Sequence, residues 1–504
     1  MSEKYTVLSP WSDAAVEEQV GLSPRLNTLN GKTIGLFANF KGHSVTVLDV
    51  IAEKIKESYP DVCFTSYQYP IETTEIMLDN NYAESFKEWA TGCDGIIAGY
   101  GDDGSSTMYH GMNTAAAERL GIPCVSIDKV NVVMNAVRGA AYRMVPNLRC
   151  VTCDVPDLSL YNPSEKEGIV RANVEPIAGD VIRAMITPLT ETEDNPPEAD
   201  TIKYAKATFS GTYEDINKQF YLLGFTNGTP IVPPTREAVD DMLRGTDLAP
   251  DTVLGTLPPK QGIITVEKLA VNAVMAGCLP IFFPVVIAIA KAMADPKLSL
   301  VGWQCSVAGF APMIIINGPV RHDIHLNCVD NVLSPYYIAN TSIARVMALI
   351  TLNIAGIRPS QEDRAYGGHE ARGGVCFGEN EEESPWEPYH VSEGFKPEDS
   401  TVTLVWFQNR SMIKGNNDPI NNMKILCATD DIGYNPGATF ILSHTFAKTL
   451  SNAGFSKQGV LDYVCEYARK PASEAPIAWL KNNNHLPETA PLPMDGSFSV
   501  RKYW

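Results

Sequence analysis

The stretch Gly95-Ile-Ile-Ala-Gly-Tyr-Gly-Asp-Asp-Gly-Ser-Ser-Thr-Met-Tyr-His110 admits few folds, because an apolar run of strand length passes into a glycine-rich turn and then into a helix. Gly99, Gly101 and Gly104 remove Cβ atoms where the backbone must bend or approach a ligand, while Ser105, Ser106 and Thr107 supply caps and amides at a helix start. Residues of these types at this spacing make an anion-sized pocket containing hydroxyls. A strand, turn and helix in this order belong in a parallel sheet with helices on its faces.

The surrounding sequence repeats that alternation. Lys32–Ala38 reads as a strand ending in the loop Asn39–His43, Val45–Ser58 as an amphipathic helix, and Asp61–Tyr67 as a second strand. A helix over Tyr82–Ala90 precedes the central strand, and a helix over Met108–Leu120 leads to the strand Ile122–Ile127. The pattern predicts an open parallel sheet with helices on both faces and a ligand crevice outside the carboxyl ends of the strands. There Asn39–His43, Gly99–Thr107 and Asp128–Asn131 converge.

Residues 1–30 lack periodicity and read as an arm, residues 31–190 as the first α/β domain, and 191–212 as a solvated linker marked by Glu191-Thr-Glu-Asp-Asn-Pro-Pro-Glu198. The text from Pro156 to Asp200 is loop-like. Residues 213–504 predict a larger C-terminal domain, α/β or α+β, with helices over Tyr213–Leu223, Arg236–Leu243, Val266–Ala276, Phe282–Ala294, Tyr337–Ile354, Thr439–Leu450 and Lys457–Arg469, and a buried strand over Pro312–Asn317.

A formal charge of -19 disfavours nucleic acid and anionic membrane surfaces as partners and leaves a small-molecule ligand, with a homo-oligomer as the expected assembly. The N-terminus carries acidic residues without an apolar signal segment, and the most apolar run, Leu279–Ala290, is too short to span a bilayer, so the expected compartment is the cytoplasm. Eleven scattered cysteines read as reduced packing residues, the Cys150-Val-Thr-Cys153 pair included. Gly99-x-Gly101-x-x-Gly104 formally fits a dinucleotide fingerprint, but Asp102 and Asp103 beside the pyrophosphate and the late position of the strand disfavour NAD, and flavin is disfavoured with it.

Three groups carry the chemistry. Asp103, at the helix start, is suited to accept a proton or anchor a cation, with Ser106 as a hydroxyl beside it and His43 as the histidine expected to approach it from the first loop. Gly101, Gly104, Ser105 and Thr107 are the expected substrate cradle, and Arg321 and Arg372 the carboxylate or phosphate clamps. In the long loop Pro359–Asp399, His369 and Glu370 suit acid–base work or a divalent cation, and Cys376 suits a low-pKa nucleophile. His369, Glu379 and His322 are the metal candidates, with most of Glu379–Glu383 expected as a solvated rim.

The central turn resembles the UGSC family, in which a selenocysteine or cysteine followed by Gly-Ser-Cys sits between a glycine-ended strand and a helix. Leu29-Asn-Gly-Lys-Thr-Ile-Gly-Leu36, Cys93-Asp-Gly-Ile-Ile-Ala-Gly99 and Arg119-Leu-Gly-Ile-Pro-Cys-Val125 are similar to the strands around it. Residues 213–408 are similar to the companion domain of two-part members, notably Thr229-Pro-Ile-Val-Pro-Pro-Thr235, Glu267-Lys-Leu-Ala-Val-Asn-Ala-Val-Met-Ala-Gly-Cys278 and Glu379-Asn-Glu-Glu-Glu-Ser-Pro-Trp-Glu-Pro388. On this resemblance the family's two redox positions are Asp103 and Ser106, and a carboxylate and a hydroxyl cannot form a disulfide or selenenylsulfide. The resemblance therefore implies a scaffold that binds, or performs acid–base or nucleophilic chemistry. The expected function is a non-redox lyase, hydrolase or isomerase acting on a small polar or anionic metabolite between the domains. The alternatives are thiol chemistry moved to Cys376 and a non-catalytic binding subunit.

Overall fold

The structure is a computed structural model that describes residues 3–471 and 497–499, apart from 16, 17, 72, 73, 157, 159, 160, 162, 198–203, 411, 413 and 428–438. After a short strand β1 (Tyr5–Leu8), the chain builds β2 (Thr33–Ala38), α1 (Gly42–Ser58), β3 (Cys63–Gln68), α2 (Ala83–Thr91), β4 (Gly95–Gly101), α3 (Gly104–Arg119), β5 (Cys124–Lys129), α4 (Val133–Tyr142) and β6 (Cys150–Cys153). Strands β2 to β6 form one parallel sheet in the order β3-β2-β4-β5-β6. This is an α/β fold with the doubly wound order in which the chain reverses direction between its first and third sheet strands.

Side-chain alternation sorts the two faces. Ile97, Val125 and Ile127 pack with Leu48, Ile51 and Ile55 of α1, whereas Ile96, Ala98 and Cys124 pack with Phe86 and Ala90 of α2. Both faces are covered, so β4 is buried at every position and reads as a continuous apolar run. The segment expected as loop from Pro156 holds two helices, α5 (Pro163–Val174) and α6 (Ala178–Ile186), and their Val170, Val174, Val181 and Met185 complete the α1 face. Each such side chain contributes about 1.5–3 kcal/mol on burial.

The expected arm and linker are also ordered. β1 pairs antiparallel with β7 (Thr208–Gly211), and Trp11 stacks on Phe225 in the second unit's core. The chain thus begins in the second unit, crosses into the first, and returns. The linker opens with α7 (Glu191–Asp194), where Arg149 holds the Glu193 carboxyl down at about 2 through a hydrogen bond that outweighs the effect of burial.

The second unit is α+β. Its helices are α8 (Tyr213–Leu222), α9 (Arg236–Leu243), α10 (Val266–Ala276), α11 (Phe283–Ala294), α12 (Leu300–Gln304), α13 (Val320–Asp323) and α14 (Ile338–Asn353). A hairpin, β8 (Val253–Leu257) with β9 (Gly262–Thr265), precedes α10. The strand β10 (Ala311–Asn317) lies between β11 (Val375–Gly378), to which it is parallel, and β12 (Thr401–Phe407), to which it is antiparallel. Between these two comes α15 (Tyr389–Ser392), and beyond β12 the helices α16 (Pro419–Cys427), α17 (His444–Asn452) and α18 (Lys457–Tyr467) enclose a small core of their own around Met423, Leu450 and Val464. No helix among the described residues is long and apolar enough to cross a membrane.

Helix α3 joins the two units. Ala117 faces the parallel sheet, while Met108, Tyr109 and Met112 lie in the core of the second unit.

Candidate functional site at the carboxyl edge of the sheet

The reversal between β2 and β4 opens a crevice beyond their carboxyl ends, and buried polar contacts lash the two exit loops together there. Asn39 donates from Nδ2 to the Tyr100 carbonyl at 2.8 Å, and its Oδ1 accepts from the Ser44 hydroxyl at 2.5 Å and from the Lys41 amide at 3.0 Å. The Ser44 hydroxyl in turn accepts from the Tyr100 amide at 3.0 Å. Held this way, the first loop brings His43 Nε2 to 3.2 Å from Asp102 Oδ2 and Lys41 Nζ to 3.4 Å from Asp102 Oδ1. Burial raises the Asp102 carboxyl, but the His43 hydrogen bond and the nearby charge of Lys41 outweigh it and leave the group below the usual carboxylate range. The three side chains are 20–24% exposed, open enough to meet a ligand. His43 therefore pairs with Asp102, not with Asp103 as the sequence suggested.

Asp103 has a different task. Its Oδ2 accepts from the Ser105 hydroxyl at 3.1 Å, and its Oδ1 accepts from the Val307 amide, in the second unit, at 3.2 Å. The Ser106 hydroxyl turns back to the Asp103 carbonyl at 3.4 Å. A Cβ on Gly104 would lie 2.1 Å from the Cys305 carbonyl oxygen, so glycine is required for the close approach of the two backbones. Ser105, Ser106 and Thr107 are at most 3% exposed. The first turn of α3 is a joint between units, and the expected substrate cradle of Gly101, Gly104, Ser105 and Thr107 is closed.

Below that turn lies a carboxyl that the sequence did not single out. Asp128, at the end of β5, is fully buried, and a Cβ added to Gly101 would sit 2.3 Å from its Oδ1. Burial pushes Asp128 up to about 7, against hydrogen bonds from Ser126 and Cys150. Asp102 and Asp128, at the ends of adjacent strands, are thus driven in opposite directions by their surroundings. The signal for Asp128 was its position at a strand's carboxyl end.

The second unit reaches the same edge through residues 305–310 and 359–372. The Tyr366 amide donates to the Val307 carbonyl at 2.9 Å, Arg364 donates to the Asn131 carbonyl at 2.8 Å, and the Asn131 amide contacts the Tyr366 hydroxyl. Asn135 of α4 donates to the Gly104 carbonyl at 2.9 Å and to the Glu362 carbonyl at 3.3 Å. The loop carrying His369 therefore meets the central turn. Its outer side walls a cavity of about 450 Å³ lined by Ser360, Asp363, Gly367, Gly368, His369, Glu370 and Arg372, among others.

The remaining expected residues are placed elsewhere or otherwise engaged. Arg372 donates to Asp363 at 3.0 Å, to the Gln304 carbonyl at 2.7 Å and to the Phe310 carbonyl, so it braces the loop. The Glu370 side chain is 78% exposed and gives His369 no buried carboxylate. Cys376 is buried in β11, where burial and the neighbouring Cys278 and Cys328 push its thiol well up, the reverse of a low-pKa nucleophile.

Arg321 is buried among acidic groups: Glu381 at 2.8 Å, Glu382 at 3.0 Å and the Glu379 carbonyl at 2.6 Å. Glu379 accepts from Asn317 at 2.6 Å and from the Tyr389 amide at 2.7 Å. The acidic run divides, Glu379 and Glu381 turning inward while Glu382 and Glu383 stay exposed at 53% and 48%, and Arg321 holds the Glu382 carboxyl down at about 2. His322 lies 2.9 Å from Glu382 and takes part in this network, well apart in contacts from His369. Among the described residues no group of three His, Cys, Asp or Glu is arranged to hold a metal ion, so His369, Glu379 and His322 do not form the expected site.

This architecture and its strand-turn-helix centre define an α/β domain. Residues 6–187 match the UGSC family, a likeness that covers the parallel-sheet unit. The match takes in most of the N-terminal segment expected as an arm and stops before residues 213–408. No curated protein and no solved structure matches the chain.

Proposed function

We propose that the chain is an enzyme that transfers protons on a small polar, anionic metabolite, in a lyase, hydrolase or isomerase type of reaction at the carboxyl edge of the parallel sheet. The observation supporting this most directly is the 3.2 Å contact of His43 with Asp102 in the strand-order crevice. A carboxylate on one ring nitrogen fixes the tautomer and stabilises the imidazolium, which leaves the other nitrogen to take and return a proton. With Nε2 on Asp102, the working atom is Nδ1 of His43. Lys41, on the same carboxylate, adds positive charge beside an anionic substrate. Asp103, with both oxygens engaged, is a positioning residue that ties Val307 and hence residues 359–372 to the site. Thiol chemistry at Cys376 draws no support from a buried group whose ionisation is suppressed.

The test is turnover in deuterium oxide of a panel of small hydroxy, keto, amino and phosphorylated acids, followed by mass spectrometry for substrate loss and deuterium uptake. On the substrate so found, His43→Gln is expected to lower kcat by about 10²–10⁴ fold, the usual worth of a general acid–base group. Cys376→Ser is expected to leave it unchanged. Wild-type turnover by His43→Gln sinks this reading.

A further inference from the structure

We propose that the cavity walled by residues 359–372 is an oxyanion site, which holds a carboxylate or phosphate group of a small ligand through backbone amides and the His369 ring. Its identification as the anchor for the substrate's charged end rests on the function proposed above; the binding itself does not.

Gly367, Gly368, His369 and Glu370 are consecutive, and their amides donate to no acceptor among the described residues. Gly368 lies in the left-handed region at φ 64 and Gly367 does not. A Cβ at either glycine would meet nothing within 4 Å, so the backbone here is open to the approach of a ligand. All four residues line the cavity of about 450 Å³, a volume that fits a metabolite. Amides left without partners at a cavity wall are costly unless water or a ligand oxygen takes them.

His369 adds a donor of fixed identity. Its Nδ1 accepts from the Ala371 amide at 3.0 Å, so that nitrogen carries no proton and the N–H sits on Nε2. The 3.6 Å approach of Glu370 to the same Nδ1 is accordingly not a hydrogen bond. The ring is held edge-on to Phe407 with centroids 4.9 Å apart, its side chain is 6% exposed, and it lines the cavity with no partner on Nε2 among the described residues.

The two carboxylates among the lining residues are paired or exposed, so the site offers an anion amide and ring donors, not net positive charge. The Asp363 carboxylate is closed by Arg372 at 2.7 Å, Glu370 projects outward at 78% exposure, and Arg364 lies across the Ser360 carbonyl at 3.1 Å. No uncompensated inward carboxylate among the lining residues opposes a bound oxyanion. Carboxylate and phosphate share this chemistry, and the site's source of ligand is decided by which of them binds.

The test is calorimetric titration of the full chain with inorganic phosphate and, separately, with malonate, against sodium chloride at matched ionic strength. Saturable one-to-one binding of at least one anion is expected, weakened tenfold or more in Gly367→Asp, which places a carboxylate where a Cβ meets nothing within 4 Å. His369→Phe, which keeps the ring contact with Phe407 and removes the Nε2 donor, is expected to weaken it as well. His43→Gln is expected to bind the anion as the wild type does, so loss of turnover in that variant and loss of anion binding in Gly367→Asp report on separate claims. Absence of saturable binding by both anions, or wild-type affinity in Gly367→Asp and His369→Phe when circular dichroism shows them folded, overturns the site.

Discussion

The Asp103 carboxylate accepts a hydrogen bond from the Val307 amide at 3.2 Å, across 204 positions of sequence and across the boundary between the two units. With the Val307 carbonyl in turn accepting from the Tyr366 amide, the start of α3, the 305–310 segment and the 359–372 loop form one hydrogen-bonded chain. Asp103→Ala leaves a half-buried amide without an acceptor, an expected loss of about 1 kcal/mol in urea unfolding. Asp103→Asn keeps an acceptor oxygen and should recover most of that loss. Hydrogen exchange at Val307 and Tyr366 should quicken in the alanine variant, and unchanged exchange there would show that this contact does not join the units.

Gly104→Ala tests the same joint sterically. Its new methyl would meet the Cys305 carbonyl at 2.1 Å, and backbone on both sides leaves little room to yield. An overpacked contact of this kind costs about 1–3 kcal/mol. The expected result is a lower unfolding midpoint with faster proteolysis within residues 359–372, whereas Gly121→Ala, on an open surface, should lose stability only through its φ of 85 and leave that loop protected.

The accessibility of thiols separates packing from chemistry. Cys63 is exposed on β3, while Cys376 is buried in β11 with its ionisation suppressed. Iodoacetamide at pH 8 should label Cys63 in the native chain and reach Cys376 only in denaturant, as read by peptide mass mapping. Rapid native labelling of Cys376 would restore it as a candidate nucleophile.

Residues 31–130 were legible because their elements bury apolar surface in simple periods: two for Ile96 to Ala98 in β4, and helical for Leu48, Ile51 and Ile55 in α1. The bounds of α9 and α10 fell where their Thr235 and Thr265 caps lie. Helix α5 escaped notice because PSEKEGIVRANV buries little beyond Val170 and Val174. β1 was missed because a four-residue strand finds its partner only at Thr208–Gly211, a non-local pairing that no local pattern announces.

At the site, convergence of the Asn39–His43 and Gly99–Thr107 loops followed from the strand order. The acid that meets His43 did not, because Asp102 and Asp103 are adjacent and follow an irregular strand end, shifted in register between Gly99 and Gly101, that no local pattern announces. Arg321, Glu379 and Glu381 leave solvent for a related reason, since each meets a partner about sixty residues away, whereas Glu382 and Glu383 keep the exposed rim that the sequence suggests.

Asp128 gives the pH dependence its sign. Its carboxyl is at about 7 in the folded chain and near 3.8 as an ordinary aspartate, so between those values the native state binds the proton that the unfolded state has released. Stability should therefore fall as pH rises from about 4 to about 7 and level off above, by up to about 4 kcal/mol for a shift of this size. Asp102, shifted the other way, loses its contribution only on acidification below its ordinary range, so the two effects occupy separate pH windows. In Asp128→Asn the neutral amide replaces the protonated acid, and the fall between pH 4 and 7 should vanish while the acid limb persists. Urea unfolding midpoints at pH 4.5, 6 and 7.5 for the two proteins measure it, and an identical slope in both would mean that Asp128 does not titrate in this interval.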